Sequence, residues 1–138
     1  SKQNTLSMVE VGKNIVHEFD HINAILGKTI DLVLIENQIG PLAIRMKTLQ
    51  GMISQYFIMR NENIKIEYVS SQNKLKEFTE SSKKLTYKDR KLKGIEICLN
   101  LLNGQEESFK KLFQNHKKKD DLADSYLQGI WYLRNKLY

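Results

Sequence analysis

A chain of 138 residues, 41% hydrophobic and 28% charged, is long enough for one core and too short for two, so residues 1–138 are expected to form a single domain. That composition excludes a disordered polymer, and no apolar run approaches the roughly 18 residues of a membrane-crossing helix, which predicts a soluble globular protein with no membrane partner. The net charge of +6, carried mostly by lysine, favours a polyanionic partner.

The opening residues, Ser1 to Ser7, are polar and fit neither a signal nor a transit peptide. From Met8 to Leu26 the apolar positions Val11, Ile15, Phe19, Ile22 and Leu26 recur in steps of three and four, predicting a helix with one buried face. His17 and His21 are four apart on it, and with no third ligand nearby they read as helix surface. Gly27 stops the helix. Ile30 to Ile35 is nearly unbroken in β-branched and aliphatic residues, the pattern of a strand covered on both faces in a parallel sheet. Glu36, Asn37 and Gln38 end it, and the carboxyl end of such a strand is where open α/β sheets place their ligands. Glu36 is therefore a candidate site residue.

Pro41 suits the first turn of a helix from Leu42 to Met59. Leu42, Met46, Leu49, Ile53 and Tyr56 share a line on it, with Met52, Phe57 and Met59 alongside. This apolar surface is wider than one sheet face requires, so the helix is a candidate contact surface for a partner, the alternative for any single residue being core. Ile64, Ile66, Tyr68 and Val69 read as a second strand, giving a right-handed parallel βαβ unit. Gln72 to Ser82 is a short helical or loop segment. In the following stretch Lys83, Lys84, Lys88, Arg90, Lys91 and Lys93 surround Tyr87 and open a helix that runs through Leu102. Basic residues around an aromatic can grip phosphates and stack on a sugar or base; the alternative is a solvated charge run. Cys98, without a partner, reads as a small buried hydrophobe in a reducing intracellular compartment.

A further helix from Glu106 to about Phe113 leads to HKKKDDLADSYLQGIWYL, His116 to Leu133. If Asp120 to Lys136 is helical, Asp120, Asp121 and Asp124 fall within about a quarter to a third of the circumference. Leu122, Ala123, Tyr126, Leu127, Ile130, Trp131 and Leu133 cover the other side. Clustered carboxylates repel and normally need a cation, and oxygen-only ligands suit Mg²⁺ or Mn²⁺. For Asp120 and Asp121 alone, a first turn tuned to the helix dipole explains the charges equally well. The chain has no glycine-rich phosphate loop, CxxC pair or GxSxG elbow, which argues against nucleoside-triphosphate, zinc-ribbon and serine-hydrolase chemistry.

LIENQIGPLAIRMKTLQGMISQYF, TYKDRKLKG and HKKKDDLADSYLQGIWYL, in that order, resemble the Holliday-junction resolvases of large DNA viruses and fungal mitochondria, within the RuvC-like branch of the ribonuclease-H fold. The resemblance spans roughly residues 8 to 135. It implies an α/β fold of ribonuclease-H type with a parallel βαβ unit packed by helices. The family's opening strand, which bears an aspartate and a glycine-containing turn, has no counterpart here; Asp20, inside a helix, and Asp31, at the start of a strand, do not take its place. The fold is therefore expected to be truncated, short of its first strands and one carboxylate.

By the same resemblance the protein is a metal-dependent endonuclease that makes paired, symmetric nicks in four-way DNA junctions, as a homodimer. Two Mg²⁺ or Mn²⁺ ions are implied, held by Glu36, Asp121 and Asp124 or by Glu36, Asp120 and Asp124, with the former pair of aspartates favoured. Lys91 is the first choice for the basic element at the scissile phosphate, followed by Lys88, Arg90 and Lys93. Lys117, Lys118 and Lys119 add backbone contacts. The implied setting is host cytoplasm or mitochondrion. The alternatives are a non-catalytic nucleic-acid-binding or assembly module on the same scaffold, and a related nuclease acting on flaps or RNA–DNA hybrids.

Overall fold

In the computed structural model, which describes residues 6–41, 43–75 and 85–137, the first helix starts where its backbone donors find a cap. Ser7 accepts a hydrogen bond from the Glu10 amide at 3.2 Å and returns one from its own amide to the Glu10 carboxylate at 3.1 Å. This reciprocal box satisfies two amides that no helical carbonyl can reach. Helix α1, Met8–Leu26, ends at Gly27, whose φ of 57° is the left-handed conformation glycine adopts without steric cost.

Strand β1 is Leu32–Glu36, and all five of its residues are half-buried. The strand begins two residues later than expected and takes in Glu36, which is its last paired residue. Helix α2, Ile44–Arg60, follows, and strand β2, Lys65–Val69, returns parallel to β1. Leu32 stands opposite Lys65 and Glu36 opposite Val69, and the ladder continues one bond further through the Asn37 amide to the Val69 carbonyl, 2.8 Å. The expected parallel strand–helix–strand unit is therefore present. Pro41 does not open α2. The Ala43 amide bonds back to the Gly40 carbonyl at 3.3 Å, so Pro41 belongs to the turn, and the helix starts at Ile44. Gly40 has a φ of 111°, a turn conformation open to glycine.

The chain divides after Val69 into two compact units. In the first, α1 packs on α2 through a triangle of aromatic rings: Phe19, Tyr56 and Phe57, with centroids 5.1 to 5.4 Å apart. At its edge the Tyr56 hydroxyl donates to Asp20 at 2.6 Å and accepts from the Asn23 amide at 3.2 Å, while Arg60 reaches the same carboxylate at 2.9 Å. Gly12 lets the helices approach closely, since a Cβ there would stand 2.7 Å from the Met52 methyl. Ser54 and Tyr68 share a 2.6 Å hydrogen bond that ties α2 to β2.

The second unit is helical among its described residues. A 3₁₀ turn, Ser71–Leu75, precedes α3, Tyr87–Leu102, whose Thr86 cap accepts from the Asp89 amide at 3.1 Å. Helix α4, Glu107–Asn115, and helix α5, Lys119–Tyr132, follow, and the chain widens into a π turn over Leu133–Leu137. The core is Cys98 and Leu102 from α3, Phe113 from α4, and Ala123, Leu127 and Tyr132 from α5, with Ala123 and Leu127 wholly buried. Burial pushes the Cys98 thiol up to about 11, so it behaves as the small hydrophobe its surroundings suggest. No described helix is long and apolar enough to cross a membrane.

Candidate functional site

The N-terminus of α5 is built by its own preceding residues. His116 accepts the Lys118 amide on Nδ1 at 3.0 Å, and the Lys119 ammonium reaches back to the His116 carbonyl, also 3.0 Å. Asp120 and Asp121 then occupy the first turn, where the helix dipole stabilises negative charge. Burial of Ala123 and Leu127 fixes the rotation of the helix. Asp120 and Asp124, four residues apart, come to lie on its half-buried border, and Asp121 is exposed.

The packing of α3 on α5 brings a cation to that border. Lys91 Nζ stands 3.0 Å from Asp120 Oδ2 and 4.6 Å from the centroid of the Tyr87 ring, one turn earlier on α3. The contact holds the Asp120 carboxyl below the usual carboxylate range, chiefly through the hydrogen bond from Lys91, and raises the lysine in turn, with Tyr87 as the second cause. Tyr87 is 69% exposed, an open aromatic face beside an ion pair. Lys88 and Arg90 on the same helix are exposed, and Lys93 is half-buried, 3.8 Å from Glu96. Lys117 and Lys118 are exposed and Lys119 is half-buried, so these three precede the α5 carboxylates along the chain, and Lys91 meets Asp120 across the α3–α5 contact. Lys83 and Lys84 lie outside the described residues.

Glu36 belongs to the first unit, half-buried at the carboxyl end of β1. The Gln38 side chain bonds to its carbonyl at 3.5 Å, and the Gln38 amide is held by Gln50 of α2 at 2.9 Å. The strand end is thus fixed by the helix that follows it. Asp20, by contrast, is fully engaged by Tyr56 and Arg60 in holding α1 to α2. His17 and His21 are exposed on α1, as the sequence suggested.

The α2 line proposed as an interface divides. Tyr56 is 4% exposed and packs in the core of its own unit, so it is not interface; the aromatic triangle and the Asp20 contact claim it. Leu49 and Ile53 are half-buried, Met46 is 47% exposed, and Leu42 lies outside the described residues. Ile44, Ile58 and Met59 are also exposed on α2.

Among the described residues no group of three or more His, Cys, Asp or Glu side chains is gathered to hold a metal ion. On α5 two half-buried carboxylates stand one turn apart, and one of them, Asp120, is paired with the Lys91 ammonium. Sequence reading named the members of this cluster but missed the Lys91–Asp120 pairing and the bond from the Lys118 amide to His116. Opposite charges on two amphipathic helices were the available signal for the pairing.

No solved structure matches the chain. An uncharacterized protein of Acanthamoeba polyphaga mimivirus is 35% identical to it over 87% of this chain and 33% of the relative. The chain thus spans about a third of the length of the curated relative it matches. The family model described as Poxvirus A22 protein matches residues 6–136, which takes in both strands and the five α-helices of the described residues. The chain belongs to that family, the viral Holliday-junction resolvase family.

Proposed function

We propose that this protein is a metal-dependent endonuclease that resolves four-way DNA junctions by paired, symmetric cleavage, on a scaffold of the RuvC-like, ribonuclease-H type. The observation that carries the reading is the 3.0 Å contact of Lys91 with Asp120. It joins the basic helix and the acidic helix, two of the three stretches on which the resemblance to resolvases rests.

Asp124 with Asp121 or Asp120 is the α5 pair proposed to hold Mg²⁺ or Mn²⁺, and Glu36, at the end of β1 in the first unit, is the carboxylate to which the resemblance assigns a metal role. Bound metal would supply Lewis acidity at the phosphodiester, activating water and offsetting charge on the leaving 3′-oxygen. The chain's own residues do the rest. Lys91 presents a compact charge to the scissile phosphate, Tyr87 offers a stacking face, and Lys88, Arg90, Lys93, Lys117, Lys118 and Lys119 neutralise the flanking backbone without reading bases. A junction has approximate two-fold symmetry and each site makes one nick, so a C₂ homodimer is the matching assembly, with the exposed side of α2 around Met46 as its proposed surface.

The test is cleavage of a synthetic four-way junction in Mg²⁺ and in EDTA. Glu36→Gln and Asp124→Asn are each expected to lower the rate by at least about 100-fold with junction binding retained. Undiminished cutting by both variants refutes the metal assignment. A non-catalytic junction-binding module is the second reading, favoured by the lack, among the described residues, of a gathered group of three metal-ligand side chains. Calorimetric titration with Mg²⁺ separates the two, since the module binds none.

A further inference from the structure

Resting on the junction-endonuclease reading, we propose that Tyr87 tells a branch point from continuous duplex: its ring stacks on a base face that only a branch leaves open. Within a duplex each base is covered above and below by its neighbours, so a protein meets backbone and groove edges. Where strands exchange, the stack is interrupted, and an aromatic side chain can take the place of the missing neighbour. A branch is then recognised by its shape and not by its sequence.

The structure prepares the ring for that contact. Tyr87 is the first residue of α3, and the Thr86 cap, which accepts from the Asp89 amide at 3.1 Å, fixes the turn that carries it. At 69% exposed the ring is presented to solvent rather than packed. The Lys91 ammonium lies over it, 4.6 Å from the centroid, and is itself held 3.0 Å from Asp120 Oδ2 on α5. An anchored cation therefore covers one face and restrains the ring, while the other face stays open to a ligand. The cation also draws on the π electrons, so the free face repels the π cloud of a stacked base less. Lys88 and Arg90, both exposed on the same helix, can hold the backbone on either side of such a base. A tyrosine kept at the surface only to shield Lys91 would make the same internal contacts, but it would not discriminate between branched and linear DNA.

The experiment measures the affinity of the whole chain for a synthetic four-way junction and for a duplex of matched length, in EDTA and at fixed salt. Tyr87→Ala is expected to bind the junction about 10-fold more weakly and the duplex as the parent does. Tyr87→Phe and Tyr87→Trp keep an aromatic face and are expected to keep the parent's ratio of the two affinities. Lys88→Gln, a lost phosphate contact, is expected to weaken both DNAs alike and leave the ratio unmoved. As a direct readout, 2-aminopurine placed at the branch is expected to be quenched on binding by the parent and by Tyr87→Trp, and not by Tyr87→Ala. An unchanged ratio in Tyr87→Ala, an equal loss on both DNAs, or a quench by Tyr87→Ala equal to the parent's overturns the inference. If the parent prefers the junction and Tyr87→Ala prefers it equally, the junction reading stands and only the role of the tyrosine falls. If the parent itself shows no preference for the junction, both fall together.

Discussion

Asp20 shows how a single carboxylate can be drawn wholly into structure. It accepts from Tyr56 at 2.6 Å and from Arg60 at 2.9 and 3.1 Å, and Arg60 also lies 4.4 Å above the Tyr56 ring. The Tyr56 hydrogen bond first, and Arg60 second, hold the Asp20 carboxyl below the usual range. Burial first, and then Asp20, push the Tyr56 hydroxyl up. A depressed carboxyl stabilises the fold at pH values above its unfolded value, about 3.9, and that stability is lost as pH falls through the lower folded value. The urea midpoint of the parent protein should therefore exceed that of Asp20→Asn at pH 7, and the gap should close on acidification below about pH 4. A gap that persists undiminished at low pH would show that the carboxylate charge is not what holds α1 to α2. Tyr56→Phe tests the same contact from its buried end, with an expected loss of about 1–2 kcal/mol in chemical denaturation.

Among the elements, α5 carries both the core of its unit and the proposed chemistry. Leu127 is wholly buried, and Leu127→Ala is expected to cost about 2–5 kcal/mol by thermal or urea denaturation. A much smaller loss would mean that α5 is not anchored where the carboxylates need it. Periodicity made most of this architecture legible: α1 runs over the predicted span, Met8–Leu26, and the βαβ order follows from two apolar runs flanking an amphipathic one. What stayed hidden were contacts between distant residues. Asp20 meets partners 36 and 40 positions away, and nothing local to either end announces the match. Likewise, helical spacing put Asp120, Asp121 and Asp124 in one arc, but only the burial of Ala123 and Leu127 shows that Asp121 faces outward. Pro41 misled for a simpler reason: the same fixed φ suits a helix's first turn and a β-turn equally well.

At the scale of the whole molecule, the net charge of +6 is the property a DNA partner would meet first. Junction affinity is expected to fall steeply with added salt, and each of Lys88→Gln and Lys117→Gln to lower the salt slope by about one while weakening all sequences alike. A slope unmoved by either substitution would remove those lysines from the DNA surface. The division after Val69 has a different use. The sequence contains one cysteine, and it lies 1% exposed at the centre of the second unit, with its thiol pushed up to about 11. A thiol reagent in solution can therefore reach Cys98 only when that half of the chain opens. Without any engineered label, the alkylation rate is a clock for the local opening of the helices that carry Lys91 and Asp120. Timed with and without Mg²⁺ or junction DNA, it would report how strongly each ligand tightens one half of the protein while remaining blind to the other.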